Sequence, residues 1–140
     1  MSTRGRRLAF DYGSVRIGVA VCDPDGILAT PLAFLSTTHP KLNQQIAELF
    51  AEYEPIEIFI GYPKHLSGSD GESVKLVESF KSALAHLTHA PLTFIDERLS
   101  TVSATRLLQE SGKNSKESKS LIDSMSAVAI LEQGLRLEKG

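Results

Sequence analysis

A chain of 140 residues has room for one domain and not for a second, and at that size roughly 68–70% of the unfolded surface can be buried, so disulfides are not needed. With 41% hydrophobic and 23% charged residues, and no apolar run near the roughly 20 residues that span a bilayer, it reads as a soluble globular protein. The net charge of −2 argues against broad electrostatic coating of nucleic acid, although Arg4, Arg6, Arg7 and Arg16 crowd the beginning and Lys113, Lys116 and Lys119 a later segment, which leaves room for local basic rims around an acidic centre.

The opening MSTRGRRLAF runs directly into a strand-like segment without a long apolar core or a small-residue cleavage site. No signal peptide is expected, and the cytoplasm is the expected compartment. Residues 7–12 and 16–22 read as strands separated by Gly13-Ser14-Val15, and Asp23-Pro24-Asp25-Gly26 is a turn before a third strand, 27–35. The three form an antiparallel meander. Cys22, the single cysteine, sits in the apolar run IGVAVC with no histidine close in sequence and reads as a packed thiol.

From 40 to 54, Leu42, Ile46, Leu49, Phe50 and Tyr53 recur at helical spacing, and Pro55 follows where the helix must already have stopped. IEIFIG, 56–61, is a short continuous apolar run, as in a strand covered on both faces. A helix is expected over 72–87, a strand over 92–95, a helix from a Ser100 cap to about 111, and a last helix over 118–137. The order βββαβαβαα gives one α/β domain over 1–140, a mixed five-stranded sheet of a three-strand antiparallel meander plus parallel strands flanked by helices, the ribonuclease H-like arrangement.

Three segments carry acids in places that need explaining. Asp11 ends the first strand and precedes Gly13, which either lets a backbone approach a ligand or permits a tight hairpin; Asp11 itself also suits a plain turn. FIDERLST puts Asp96, Glu97 and Arg98 at the carboxyl end of a strand, where ligand sites of α/β sheets collect. Side chains alternate along a strand, so Asp96 and Glu97 face apart, and Glu97 is favoured as the ligand with Asp96 in support; an Asp–Arg pair beside an ordinary Ser cap is the plainer alternative. Asp123 lies in SLIDSMSAVAIL, apolar on most sides, where an unpaired carboxylate is costly and requires a partner. If the three converge, they form a pocket of hard oxygen donors suited to magnesium or manganese.

FDYGSVRIGVAV at 10–21, IGYPKHLSG at 60–68, DERLST at 96–101 and IDSMSAVAILE at 122–132 together resemble the YqgF-like family, described as Holliday junction resolvases and as nucleases maturing the precursor of 16S ribosomal RNA. The resemblance spans nearly the whole chain. It implies a metal-dependent nuclease acting in ribosome biogenesis, with catalytic acids on Asp11, Glu97 and Asp123, Mg2+ or Mn2+ as cofactor, and structured RNA or branched DNA as partner. Similarity to ribonuclease H-like nucleases implies two metals that activate water, so that no protein nucleophile is needed and Cys22 and the four histidines are spectators. Ser14-Val15 stands where family members often carry Thr then Lys, and NSKESKS is less basic than many family versions.

Arg98, Ser100 and Thr101 beside the acids are candidate phosphate contacts, with Arg16 and Lys119 further candidates; solvated surface charge is the plainer reading for the last two. The loop 62–73, with Lys64 and His65, either closes over nucleic acid or simply connects. Two other function classes fit parts of the chain. FDYGSVRIGVAV also suits the phosphate hairpin of actin-like ATPases, which need two such domains, and an inert RNA- or partner-binding module would leave the acids structural. A monomer or a homodimer is open, and a symmetric junction would need two active sites.

Overall fold

The structure, a computed structural model, describes residues 4–62, 71–96 and 115–139, the last two stretches without the side chains of 71–73, 115–123 and 139. Five strands, β1 (Arg7–Tyr12), β2 (Arg16–Cys22), β3 (Ala29–Ser36), β4 (Glu57–Tyr62) and β5 (Leu92–Asp96), form one sheet in the order β3-β2-β1-β4-β5. β1, β2 and β3 are the antiparallel meander, and β4 runs parallel to β1 and β5 to β4. The helices are α1 (Leu42–Tyr53), α2 (Gly71–Ala85) and α3 (Ser115–Lys139). The helix expected from Ser100 to 111 lies outside the described residues. No described helix is long and apolar enough to cross a membrane.

β3 begins two residues later than its apolar run suggests, and the cause is the turn before it. The Asp23 carboxylate accepts the backbone N–H groups of Ile27 at 2.7 Å and Leu28 at 3.0 Å, which removes both from strand pairing. Those two bonds hold the Asp23 carboxyl below its ordinary range. Gly26 adopts φ 69°, which the tight turn demands. α1 stops at Glu54, which takes a left-handed conformation and donates its N–H to the Phe50 carbonyl at 2.9 Å just before Pro55.

Alternation along the strands builds two cores. Leu8, Phe10, Ile17, Val19, Val21, Ile58 and Ile60 pack against Ile46 and Phe50 of α1 and Val77, Phe80 and Leu84 of α2. Phe10 meets Phe50 and Phe80 edge-on at 6.2 and 5.6 Å. Ala9, Ala20, Cys22, Phe59 and Ile95 face the other way, onto Ala127, Val128, Ile130, Leu131 and Leu135 of α3. Both parallel crossovers step the same way across the sheet, so the right-handed rule puts α1 and α2 on one face and leaves the other to α3.

At the amino end of β1 the face covered by α3 is closed by charge. Arg7 Nε stands 3.1 Å from Glu138 Oε2, off the line a hydrogen bond needs, while its Nη1 donates to the Gly5 carbonyl at 2.8 Å. Thr93 Oγ1 donates to Glu57 Oε2 at 2.8 Å. Burial pushes the Glu57 carboxyl up and the Glu138 carboxyl beside it adds to the rise, against the Thr93 hydroxyl and Arg7, which pull it down. Folded Glu57 therefore binds its proton more tightly than the unfolded chain does. Its contribution to stability is greatest in acid and falls as pH rises from the ordinary glutamate range through the raised value. Glu57→Gln keeps an acceptor for Thr93 and cannot ionise. Its melting temperature relative to wild type is expected to climb between pH 4 and pH 7; a difference that stays flat across that range would contradict the assignment.

Candidate active site at the carboxyl end of the parallel strands

β1 is fully buried at Leu8, Ala9 and Phe10 and then reaches a half-buried Asp11 and Tyr12. Following the alternation, Asp11 belongs with Ala9 on the face covered by α3. Its Cα partner on β2 is Gly18, and on β4 the residue after Ile60, the partner of Phe10, is Gly61. Asp11 is thus flanked on both neighbouring strands by residues without side chains, which leaves its carboxylate room on the sheet surface. Gly13 is explained by the hairpin: a Cβ there would stand 2.6 Å from the Arg16 carbonyl oxygen, closer than any side chain tolerates. The Thr37 hydroxyl donates to the Gly13 carbonyl at 2.7 Å, and the Thr37 N–H donates to Val15 O at 3.0 Å, tying the end of β3 to this hairpin.

α3 runs obliquely across the sheet, from β3 toward the amino end of β1. Glu138 near its end meets Arg7 at the start of β1, and Ser124, buried, donates its hydroxyl to the Leu32 carbonyl at 2.5 Å. Leu32 pairs with Val19 and Val19 with Phe10, so the helix backbone at Ser124 is level with the residue before Asp11. Asp123 is the next helical position toward the carboxyl end of β1. It stands four residues before Ala127 and seven before Ile130, both fully buried on the sheet. The Asp123 and Lys119 side chains lie outside the described residues.

Glu97, Arg98, Ser100, Thr101, Lys64 and His65 also lie outside the described residues. Asp96 ends β5 opposite Tyr62 and continues the Leu92 and Phe94 face, which packs toward α1 and α2. That is the face opposite Asp11. Among the described residues no three His, Cys, Asp or Glu side chains gather closely enough to hold a metal, and of the three candidate ligands only the Asp11 side chain is described. Cys22 is buried, its Sγ accepts the Arg7 N–H at 3.2 Å, and burial pushes the thiol up, so it is a packing residue and not a nucleophile.

The arginines that crowd the beginning of the chain take partners away from Asp11. Arg4 pairs with Asp25 at 2.9 Å, Arg6 donates to the Cys22 carbonyl at 3.4 Å, and Arg7 pairs with Glu138, all at the amino end of β1, a strand's length from Asp11. They rim nothing acidic at the site. Arg16 does stand at the carboxyl end, with its guanidinium 5.3 Å from the centre of the Phe34 ring. Ser124 and Phe34 went unnoticed in the sequence. A lone hydroxyl in an apolar helix could have pointed to the first, whereas nothing local to β3 marks the second.

A family model described as RuvX, Holliday junction resolvase, matches residues 5–137. Among curated proteins, one from Streptomyces coelicolor named "Putative pre-16S rRNA nuclease" is 46% identical over 138 residues, covering 97% of this chain and 83% of its own. A protein of the same name from Mycobacterium leprae is 44% identical over 134 residues, covering 94% of this chain and 73% of its own. Of solved structures, T. thermophilus RuvC in complex with Holliday junction substrate superimposes with a TM-score of 0.63 at 12% identity, covering 96% of both chains. The fowlpox virus Holliday junction resolvase does so with a TM-score of 0.54 at 11% identity, covering 94% of this chain and 99% of that one. At these identities the structures establish the fold, a ribonuclease H-like mixed sheet.

Proposed function

This chain belongs to the RuvX family and is a nuclease, and we propose that it cleaves the precursor of 16S ribosomal RNA in the cytoplasm with a divalent metal held by Asp11, Glu97 and Asp123. The observation that carries the reading is the course of α3. Its Ser124 seat on Leu32 brings the helix backbone at Asp123 level with the glycine-flanked end of β1 that presents Asp11. Carboxylates are hard oxygen donors, the chemistry that magnesium and manganese take. Bound there, the metal would polarise the phosphodiester and lower the pKa of the attacking water. Asp11 is held rigidly for this, since its strand is buried up to the residue before it. Arg16, Arg98, Ser100, Thr101 and Lys119 serve the phosphates.

The family description favours a second substrate, the four-way DNA junction. A symmetric junction needs two active sites, so a solution dimer goes with that reading and a monomer with the RNA. The test offers the purified chain an RNA spanning the 5′ end of 16S rRNA and a four-way junction, each with magnesium, with manganese and with EDTA. Cleavage of the RNA with either metal and none with EDTA is expected. Failure to cut either substrate under any condition would remove the proposal.

A further inference from the structure

The rim beside Asp11 carries a feature that metal chemistry does not use. Between β2 and β3 the register slips: Ile17 pairs with Leu35 but Val19 with Leu32, so β3 takes three steps where β2 takes two. Leu32 and Leu35 consequently both pack toward α1 and α2, and Phe34 falls to the opposite face. Arg16, one residue before the core residue Ile17, falls to that same face and lies over the Phe34 ring. This is also the face of Asp11. Asp11 pairs with Gly18, two residues from Arg16, and one strand spacing with two residue steps separates the two Cα atoms by about 8 Å. The Thr37 bonds to Gly13 and Val15 fasten the end of β3 to the Asp11 hairpin, so the stack and the carboxylate share one rigid corner.

A lysine would neutralise a phosphate as well as an arginine, and an edge strand does not need an aromatic ring there. What the pair adds is a planar guanidinium over a half-buried aromatic ring, π surface on which an unstacked base can lie. A duplex keeps its bases stacked on one another and has none to offer. We propose that Arg16 lying on Phe34 is a stacking platform for one unpaired base of the nucleic acid, flanking the phosphodiester positioned at Asp11. The inference rests on the nuclease reading and names the substrate class within it: nucleic acid with a single-stranded nucleotide beside the cleavage point.

Binding in EDTA, where no cleavage occurs, tests it. Fluorescence anisotropy is measured for the full chain on two RNAs of equal duplex length, one blunt and one with an unpaired overhang. Wild type is expected to bind the overhang RNA more tightly. Phe34→Ala should weaken the overhang complex about 5- to 150-fold, the loss of one stacked base, and leave the blunt duplex within about twofold. Phe34→Tyr should retain the preference. Phe34→Leu keeps the apolar cover and should still lose it, which separates stacking from folding, and melting curves check each variant. Equal weakening on both RNAs, no weakening on either, or a Tyr variant that behaves like the Ala variant overturns the platform. Cleavage in magnesium is scored separately, so loss of the platform leaves the nuclease reading standing, while absence of cleavage strikes the latter.

Discussion

Asp11→Asn is expected to lower cleavage by about a thousandfold or more while the protein remains folded and still binds nucleic acid. Metal stabilisation of transition-state charge is worth several kcal/mol, and each 1.36 kcal/mol is tenfold in rate. The amide is isosteric with the carboxylate but has lost a charge and one oxygen donor, so the loss falls on the metal and not on packing. Two signs follow. Without metal the variant should still unfold in one cooperative transition, because β1 is buried up to the residue before Asp11. With magnesium, wild type should gain in melting temperature as binding to the folded state predicts, and the variant should gain much less. Asp25→Asn is the control, an exposed carboxylate at the far end of the sheet that, among the described residues, pairs with exposed Arg4 in a contact of little energetic weight. Should Asp11→Asn cut at a rate near that of Asp25→Asn, the metal site is not where we place it.

The part of this that was legible in the sequence is the part set by local periodicity. Alternation in RLAF and IGVAV and the continuous run at 56–61 mark strands because each pleat face has its own core, and the spacing of Ile46, Phe50, Val77, Phe80 and Leu84 marks helices because one stripe of each is buried. What stayed hidden depends on contacts between distant residues. Ile27 and Leu28 look like strand residues but are 77% and 65% exposed, because a side chain four and five residues earlier takes their N–H groups. Arg7 looks like part of a basic rim and is buried against Glu138, 131 residues away. Gly13 left hairpin and ligand approach open until the Arg16 carbonyl showed which was required. The direction of α3 over the sheet, on which the proposed pairing of Asp11 with Asp123 rests, is written in no local pattern. It is fixed by two long-range contacts, Ser124 to Leu32 and Glu138 to Arg7.

The same helix makes Gly134 a residue where a small change should be costly. A Cβ at this position would stand 2.6–2.7 Å from three carbons of the Phe59 ring, which is 2% exposed and held between neighbouring strands. Two effects oppose each other in Gly134→Ala. Removing a glycine from a helix interior gains about 0.8–1.0 kcal/mol in propensity. Against it, ordinary carbon contacts need some 3.5 Å, so helix and ring must separate by close to an ångström within a close-packed layer, at about 1–3 kcal/mol. The clash wins by a modest margin for alanine. For Gly134→Val, two further carbons enter the same ring and the propensity gain shrinks, so the loss reaches about 3 kcal/mol, or roughly 10 °C in melting temperature. Phe59→Leu, which thins the ring side, should make Gly134→Ala cheaper than the sum of the two single changes, the coupling expected of residues in contact. Activity should report the same displacement. Asp123 lies 11 residues toward the amino end of this rod, roughly 17 Å away, and lifting the seat by an ångström moves it relative to Asp11. Misplacement on that scale costs about a hundredfold in rate, so Gly134→Ala should cut slowly even at temperatures where it is fully folded. An alanine variant that melts above wild type and cuts at full rate would mean that the Phe59 ring yields, and that the seat of α3 does not set the distance between the two acids.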